Sequence, residues 1–280
     1  MIRRAVTTLV FFLAVGSASI GTAKCAPNTP GTERRILAMA PHLVETLFAV
    51  GAGDRVVGVS RYANFPPEAA VLPRVGGYKS ILVEAALRLK PELVFALNGD
   101  VEGVASLERV GVPVVVSHPK SIRAVLREIE RIAERVCAAD RGRSLAAELR
   151  ARMVRIEEKR PAVAPSVFYE VWHDPLTTVG GESFIDDAID EAGGRNVFAA
   201  QSVETLRVSV EAVLRLRPAV IVLSGTPKHV AARRVYWRAW LKETGTRIVS
   251  VDDDLIQRPG PRIVEGVAQL QQAIGGGSIR

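Results

Sequence analysis

The chain has 280 residues, 48% of them hydrophobic and 24% charged, with a formal net charge of +7. That is material for one large domain or two modest ones, and it excludes disordered and fibrous classes. A basic balance admits nucleic acid as a partner, but here Arg alternates with Glu along helices, as in EIERIAERV, which reads as a solvated face.

Residues 1–23 place Arg3 and Arg4 before an apolar run, Ala5 to Val15, and then small residues. This is the pattern of a secretory signal peptide, with Gly21 and Ala23 ahead of the cleavage point. The run is shorter than a bilayer-spanning helix needs, and no later stretch is longer, so the expected mature protein is exported and soluble. Its removal takes off two Arg and no acid, leaving +5. Lys24 stands before Cys25, where a lipoprotein signal would have a small residue. The two cysteines, Cys25 and Cys137, are compatible with one long-loop disulfide or with two separate thiols.

From residue 34 the pattern alternates. RRILAMA (34–40) reads as a buried strand ending near Pro41, and HLVETLFAVGAG as a helix closed by Gly51 and Gly53. RVVGVS (55–60) is a strand, 61–77 a loop broken by three Pro and two Gly, SILVEAALRLK a helix, and LVFA a strand. Pro91 moves Lys90 out of helical conformation. VASLERVG and VPVVVS add another helix and strand. Residues 121–160 then carry no strand signal. Ile122, Val125, Ile129, Ile132 and Val136 fall at helical spacing, as do Leu145, Leu149, Met153 and Ile156, with a break expected at Asp140–Gly142. SVFYEVW (166–172) starts a second alternating region, followed by a helix, a glycine turn and a short strand in ESFIDDAIDEAGGRNVF. VYWRAWLKETG (helix), TRIVSV (strand) and PRIVEGVAQLQQAI (amphipathic helix) complete it.

One unit occurs twice. VEAALRLKPELVFA (83–96) returns 127 residues later as VEAVLRLRPAVIVL (210–223), with seven of 14 positions identical. The expected fold is therefore α/β: two Rossmann-like lobes with central parallel sheets, 34–120 and 161–280, joined by a long rigid helical connector over 121–160. A cleft between domains is where small-ligand sites form.

The stretches GVSRYANFPPEAAVLPRVGGYKS, VEAALRLKPELVFA, DPLTTVGGESFIDDAIDEAGGRNVF and QRPGPRIVEGVAQL carry a more specific likeness. The chain resembles the periplasmic binding proteins of the ABC importers for vitamin B12, iron siderophores and haem, over roughly residues 35–275. YANFPPEA, VGGY and RPGPRI match the vitamin B12 branch. The resemblance implies a monomeric periplasmic protein without enzymatic activity or catalytic cofactor. It would capture cobalamin or another corrinoid, with haem or a ferric siderophore as the alternative, and deliver it to a membrane permease dimer. It further implies that Glu84 and Glu211, one per lobe, dock on the permease, although either alone reads as a carboxylate complementing a helix dipole.

For the ligand, the resemblance points to Tyr62 and Tyr78 as aromatic walls and to Asp254 and Arg258 as polar contacts. Leu97, Thr177 and Thr205 stand where the vitamin B12 branch has large aromatics, with Trp172 or Phe184 as candidates to compensate. Corrin cobalt and haem iron accept imidazole. His42, expected on the loop after the first strand, and His173, its counterpart in the second lobe, are thus candidate axial ligands, with His118 third and His229 in a helix. Against an exported hydrolase stands the absence of G-x-S-x-G, H-E-x-x-H and P-loop motifs. Asp252, Asp253 and Asp254 are adjacent and so splay apart, and four His in all are few for a bare-ion binder.

Overall fold

The computed structural model describes residues 34–77, 79–241 and 244–276. The expected signal peptide (1–23), Cys25 and Tyr78 lie outside the described residues. The first lobe contains β1 (Ile36–Ala38), α1 (Pro41–Ala49), β2 (Val56–Val59), α2 (Val83–Arg88), β3 (Leu93–Ala96), α3 (Val104–Arg109) and β4 (Val114–Val116). Its four strands are all parallel, in the order β2-β1-β3-β4. The connector is α4 (Ile122–Arg135) and α5 (Ala139–Glu157).

The second lobe contains β5 (Ser166–Glu170), β6 (Trp172–His173), β7 (Leu176–Val179), α6 (Phe184–Glu191), β8 (Arg195–Asn196), β9 (Thr205–Arg207), α7 (Val210–Leu216) and β10 (Val220–Ser224). It closes with α8 (Pro227–Trp240), β11 (Arg247–Val251), α9 (Asp253–Ile256) and α10 (Ile263–Ile274). Its parallel sheet runs β8-β5-β10-β11. Counted within each lobe, both sheets have the same order: second strand, first, third, fourth. The repeated sequence unit is α2–β3 in one lobe and α7–β10 in the other. The likeness reaches the backbone. Lys90 (φ 49°) and Arg217 (φ 46°), at matching repeat positions, both adopt the left-handed conformation that ends a helix. Lys90, ahead of Pro91, is out of helical conformation as expected, and it leaves the helix through the left-handed region.

The connector differs from a single rigid helix. It is a hairpin: α4 runs back along the first lobe, where Arg55 donates to the Val136 carbonyl (2.7 Å), and α5 crosses to the second, where Gln271 donates to the Ile156 carbonyl (2.7 Å). Nineteen residues make α5 about 28 Å long. The break falls at Val136–Ala138, with Cys137 in left-handed conformation and part of a disulfide, so Asp140–Gly142 is helical. Gly142 serves close approach: a Cβ there would sit 2.3 Å from the Ala133 Cβ.

Strand alternation assigns the two faces of each sheet. Ile36, Ala38, Leu93 and Phe95 of the first sheet, with Val167, Tyr169, Val220 and Val222 of the second, join one apolar core that continues through α1, α4, α5, α6 and α10. The opposite faces build separate cores beneath α2–α3 and beneath α7–α8. The described residues from 34 to 276 accordingly form one compact unit, the lobes sharing their central core. In the second lobe the β5 terminus carries Glu170, buried, which receives a bidentate pair of bonds from Arg233 (2.6 and 2.9 Å) and one from Trp237 Nε1 (2.6 Å). Removing one partner of a buried pair leaves an uncompensated charge. Glu170→Ala is therefore expected to cost about 3–5 kcal/mol in urea unfolding, and adding Arg233→Met should recover much of that; a loss below about 1 kcal/mol in the single variant would contradict this role.

Candidate functional site

Ligands of open α/β sheets sit beyond the carboxyl ends of the strands. In the first lobe those ends hold the buried side-chain polar atoms His42 Nε2, Ser60 Oγ, Asn98 Oδ1 and Ser117 Oγ, each without a hydrogen-bond partner among the described residues. The equivalent ends of the second lobe are satisfied. Gln257 donates to Ser224 Oγ (2.8 Å) and Tyr169 Oη (3.3 Å), and Glu170 is paired as above.

A polar cluster spans the lobes. Glu45, on α1, has a side chain only 2% exposed. Arg262 grips it with Nε (2.9 Å) and Nη2 (2.7 Å), and Arg258 Nη1 donates to it at 3.0 Å. Arg258 also donates to Asn64 Oδ1 (2.7 Å) and pairs with Asp254, while Asn64 Nδ2 donates to Asp254 (2.8 Å). The Arg262 guanidinium lies 4.0 Å from the centre of the Phe65 ring. The sequence-derived pair Asp254 and Arg258 is thus in direct contact and is joined by Asn64; Tyr62, 46% exposed, lies two residues before Asn64. Glu45, Arg262, Asn64, Ser60, Asn98 and Ser117 are absent from the sequence-derived set. Glu45 carried one signal: a lone charge on an otherwise apolar helix, HLVETLFAV.

The histidines separate. His42 is not on a loop but in the first turn of α1, because Pro41 is the first residue of that helix rather than the end of a strand region. His42 is 3% exposed, and Gly260 packs on its stem, where a Cβ on Gly260 would sit 3.0 Å from the His42 Cβ. His173, in β6, is exposed and stands 4.8 Å, ring to ring, from the half-buried His229. His118 bonds Glu204 at 2.8 Å, and Lys120 meets the same carboxylate at 3.1 Å. Burial alone would raise the Glu204 carboxyl, but these two partners bring it below its usual range.

Trp172 is 57% exposed, with Nε1 bonded to the Asp174 carbonyl (2.8 Å), and offers an open indole face beside His173. Phe184 packs partly into the shared core. Leu97 is likewise half-buried against that core, while Thr177 and Thr205 lie on the small antiparallel sheet β6-β7-β9, which the sequence pattern did not reveal. The three aspartates do separate things: Asp252 caps α9 through the Asp254 amide (2.9 Å), Asp254 joins Arg258, and the half-buried Asp253 is pushed upward by burial and then by Asp254. Among the described residues no three His, Cys, Asp or Glu side chains are grouped to hold a metal ion. Nor is any described helix long and apolar enough to cross a membrane.

Glu84 and Glu211 are both exposed in the first turns of α2 and α7. Hydrogen bonds from the Glu211 backbone amide and then the Ser209 hydroxyl hold the Glu211 carboxyl below its ordinary range.

Burial lowers the His42 pKa from 6.5 to about 3, against an opposing backbone hydrogen bond at Ser117 and with help from His118 and Arg258. The unfolded chain therefore takes up a proton that the folded protein refuses. Stability should fall as pH drops from 6.5 toward 3, by up to about 1.4 kcal/mol per pH unit from this group. In His42→Asn the urea midpoint should fall less steeply over that window; an unchanged slope would contradict the assignment.

The chain matches the family model described as "Periplasmic binding protein" over residues 36–260. It is 30% identical over 248 residues to the vitamin B12-binding protein of Vibrio cholerae, covering 86% of this chain and 89% of that one. The crystal structure of the periplasmic vitamin B12 binding protein of Vibrio cholerae superimposes with a TM-score of 0.79 at 29% identity, covering 86% and 96%. The periplasmic haem-binding protein of Roseiflexus sp. RS-1 gives 0.76 at 28%, covering 86% and 97%. With a matching model over most of its length and the same two-lobed α/β plan, the chain belongs to the periplasmic binding protein family.

Proposed function

We propose that the protein is the periplasmic solute-binding component of an ABC importer, capturing cobalamin or a related corrinoid between its lobes without transforming it. The observation that carries this reading is the cross-lobe grouping of Asn64, Asp254 and Arg258, with the exposed Tyr62 two residues before Asn64. A corrin is a broad, largely apolar ring with amide arms, and it suits an aromatic wall beside a few polar anchors. The likeness to proteins named for vitamin B12 supports the same ligand. Tyr78, Leu97, Thr177 and Thr205 are proposed to line the remaining wall, the last three without ring stacking. Glu84 and Glu211 are proposed to engage the permease dimer, one per half-site, through rim charges that orient encounter. Haem is the second reading, favoured by the 28% identity to the Roseiflexus haem-binding protein and by the exposed imidazole of His173.

Titration of the purified mature protein with cyanocobalamin, cobinamide and haemin separates these. Saturable quenching of tryptophan fluorescence by a corrinoid is expected, given the exposure of Trp172. A Soret shift with haemin and no corrinoid response would support the second reading, and silence from all three would sink both. Glu84→Lys with Glu211→Lys should leave corrinoid affinity unchanged and abolish stimulation of the permease ATPase; unaltered stimulation would remove the docking role.

A further inference from the structure

We infer that Glu45 is a specificity-determining residue: by neutralising Arg258 and Arg262 from below, it makes the anchor accept uncharged amide arms and refuse carboxylate arms. This rests on the reading that the ligand lies between the lobes against Asp254 and Arg258.

Two guanidinium groups at the mouth of a cleft would ordinarily be a carboxylate receptor, since the planar fork matches a carboxylate bidentately. Here both forks are already closed by carboxylates of the chain. Arg262 spends Nε and Nη2 on Glu45 and lays its face on Phe65. Arg258 spends Nη1 on Glu45 and Asn64 and Nη2 on Asp254. Two cations therefore meet two carboxylates, and Asp252 adds a further negative charge near Arg262. Glu45 cannot be displaced cheaply, because its side chain is 2% exposed and a buried carboxylate stripped of its partners is strongly unfavourable.

An arriving carboxylate would find no open fork and would face Asp254, whose side chain is 35% exposed. Like charges placed together repel and so reject the wrong partner. An amide arm meets no such repulsion: its N–H can donate to Asp254 and its carbonyl can accept from the second N–H of Asn64. Glu45 acts through the two arginines and need not touch the ligand.

The test holds the ring constant and changes the arms. Dicyanocobinamide, with amide arms, and dicyanocobyrinic acid, the same corrin with carboxylate arms, are titrated into the mature protein at pH 7 by calorimetry. The native protein should prefer the amide form by about 100-fold. Glu45→Gln should narrow the gap to within about tenfold by tightening the carboxylate form, and Glu45→Asp should keep the preference. Asp254→Asn removes the outer carboxylate without opening the buried fork, and should relax the preference in the same direction even if Glu45→Gln fails to fold. Equal affinities in the native protein, or haemin binding more tightly than cobinamide, would overturn the inference. So would a preference unchanged in both Glu45→Gln and Asp254→Asn. Failure of the native protein to bind either corrinoid would instead overturn the site reading on which the inference rests.

Discussion

A carboxylate at the base of the interlobe seam must be paired or neutralised, because an isolated buried charge costs far more than a domain's net stability can absorb. Glu45 meets that requirement with two guanidinium groups supplied from 213 and 217 residues further along the chain. The pairing sets the register of α1 against the 258–262 segment. It also positions Asn64 and Asp254 at the surface, because Arg258 reaches both from the same fork. The ligand-facing chemistry is thus the outer edge of a structural ion network. Its geometry is fixed before any ligand arrives, which lowers the ordering cost of binding.

The duplicated plan explains how such a network can lie on a seam. Both sheets have the same strand order, and each repeated α–β unit ends its helix with a left-handed non-glycine residue before Pro. The lobes have since diverged in what their strand ends offer. The first presents buried, unpartnered hydroxyl, imidazole and amide atoms among the described residues. The second has its strand ends satisfied internally and adds a small antiparallel sheet bearing Trp172 and His173. An apolar core runs from one sheet through α4 and α5 to the other and opposes large relative displacement of the lobes alongside the ion network. The expected mode of action is a stiff receptor rather than a widely hinged one.

Much of this was legible in the sequence because the signals were local. Period-2 and period-3.6 apolar patterns, with Gly and Pro between them, located every strand of the two parallel sheets and the amphipathic faces of α4 and α5. The break expected at Asp140–Gly142 falls earlier for a physical reason: the missing Cβ of Gly142 lets α5 continue and pack on Ala133 of α4. The strands β6, β7 and β9 are two to four residues long and carry no sustained alternation, so nothing local announced them. His42 was misread through Pro41, which opens a helix as readily as it ends a strand. Asp254 and Arg258 came from family likeness. Glu45 and Arg262 could not, because what makes them a site is a contact across more than two hundred residues.

The most direct test is the distance between lobes, measured by pulsed electron spin resonance with nitroxides at Val71→Cys and Val235→Cys, both exposed and one in each lobe. With Glu45 present the distance distribution should be narrow, and Glu45→Ala should broaden it, because the two arginines lose the carboxylate that holds them on α1. A distribution of the same centre and width in both proteins would show that the lobes are held without this ion network.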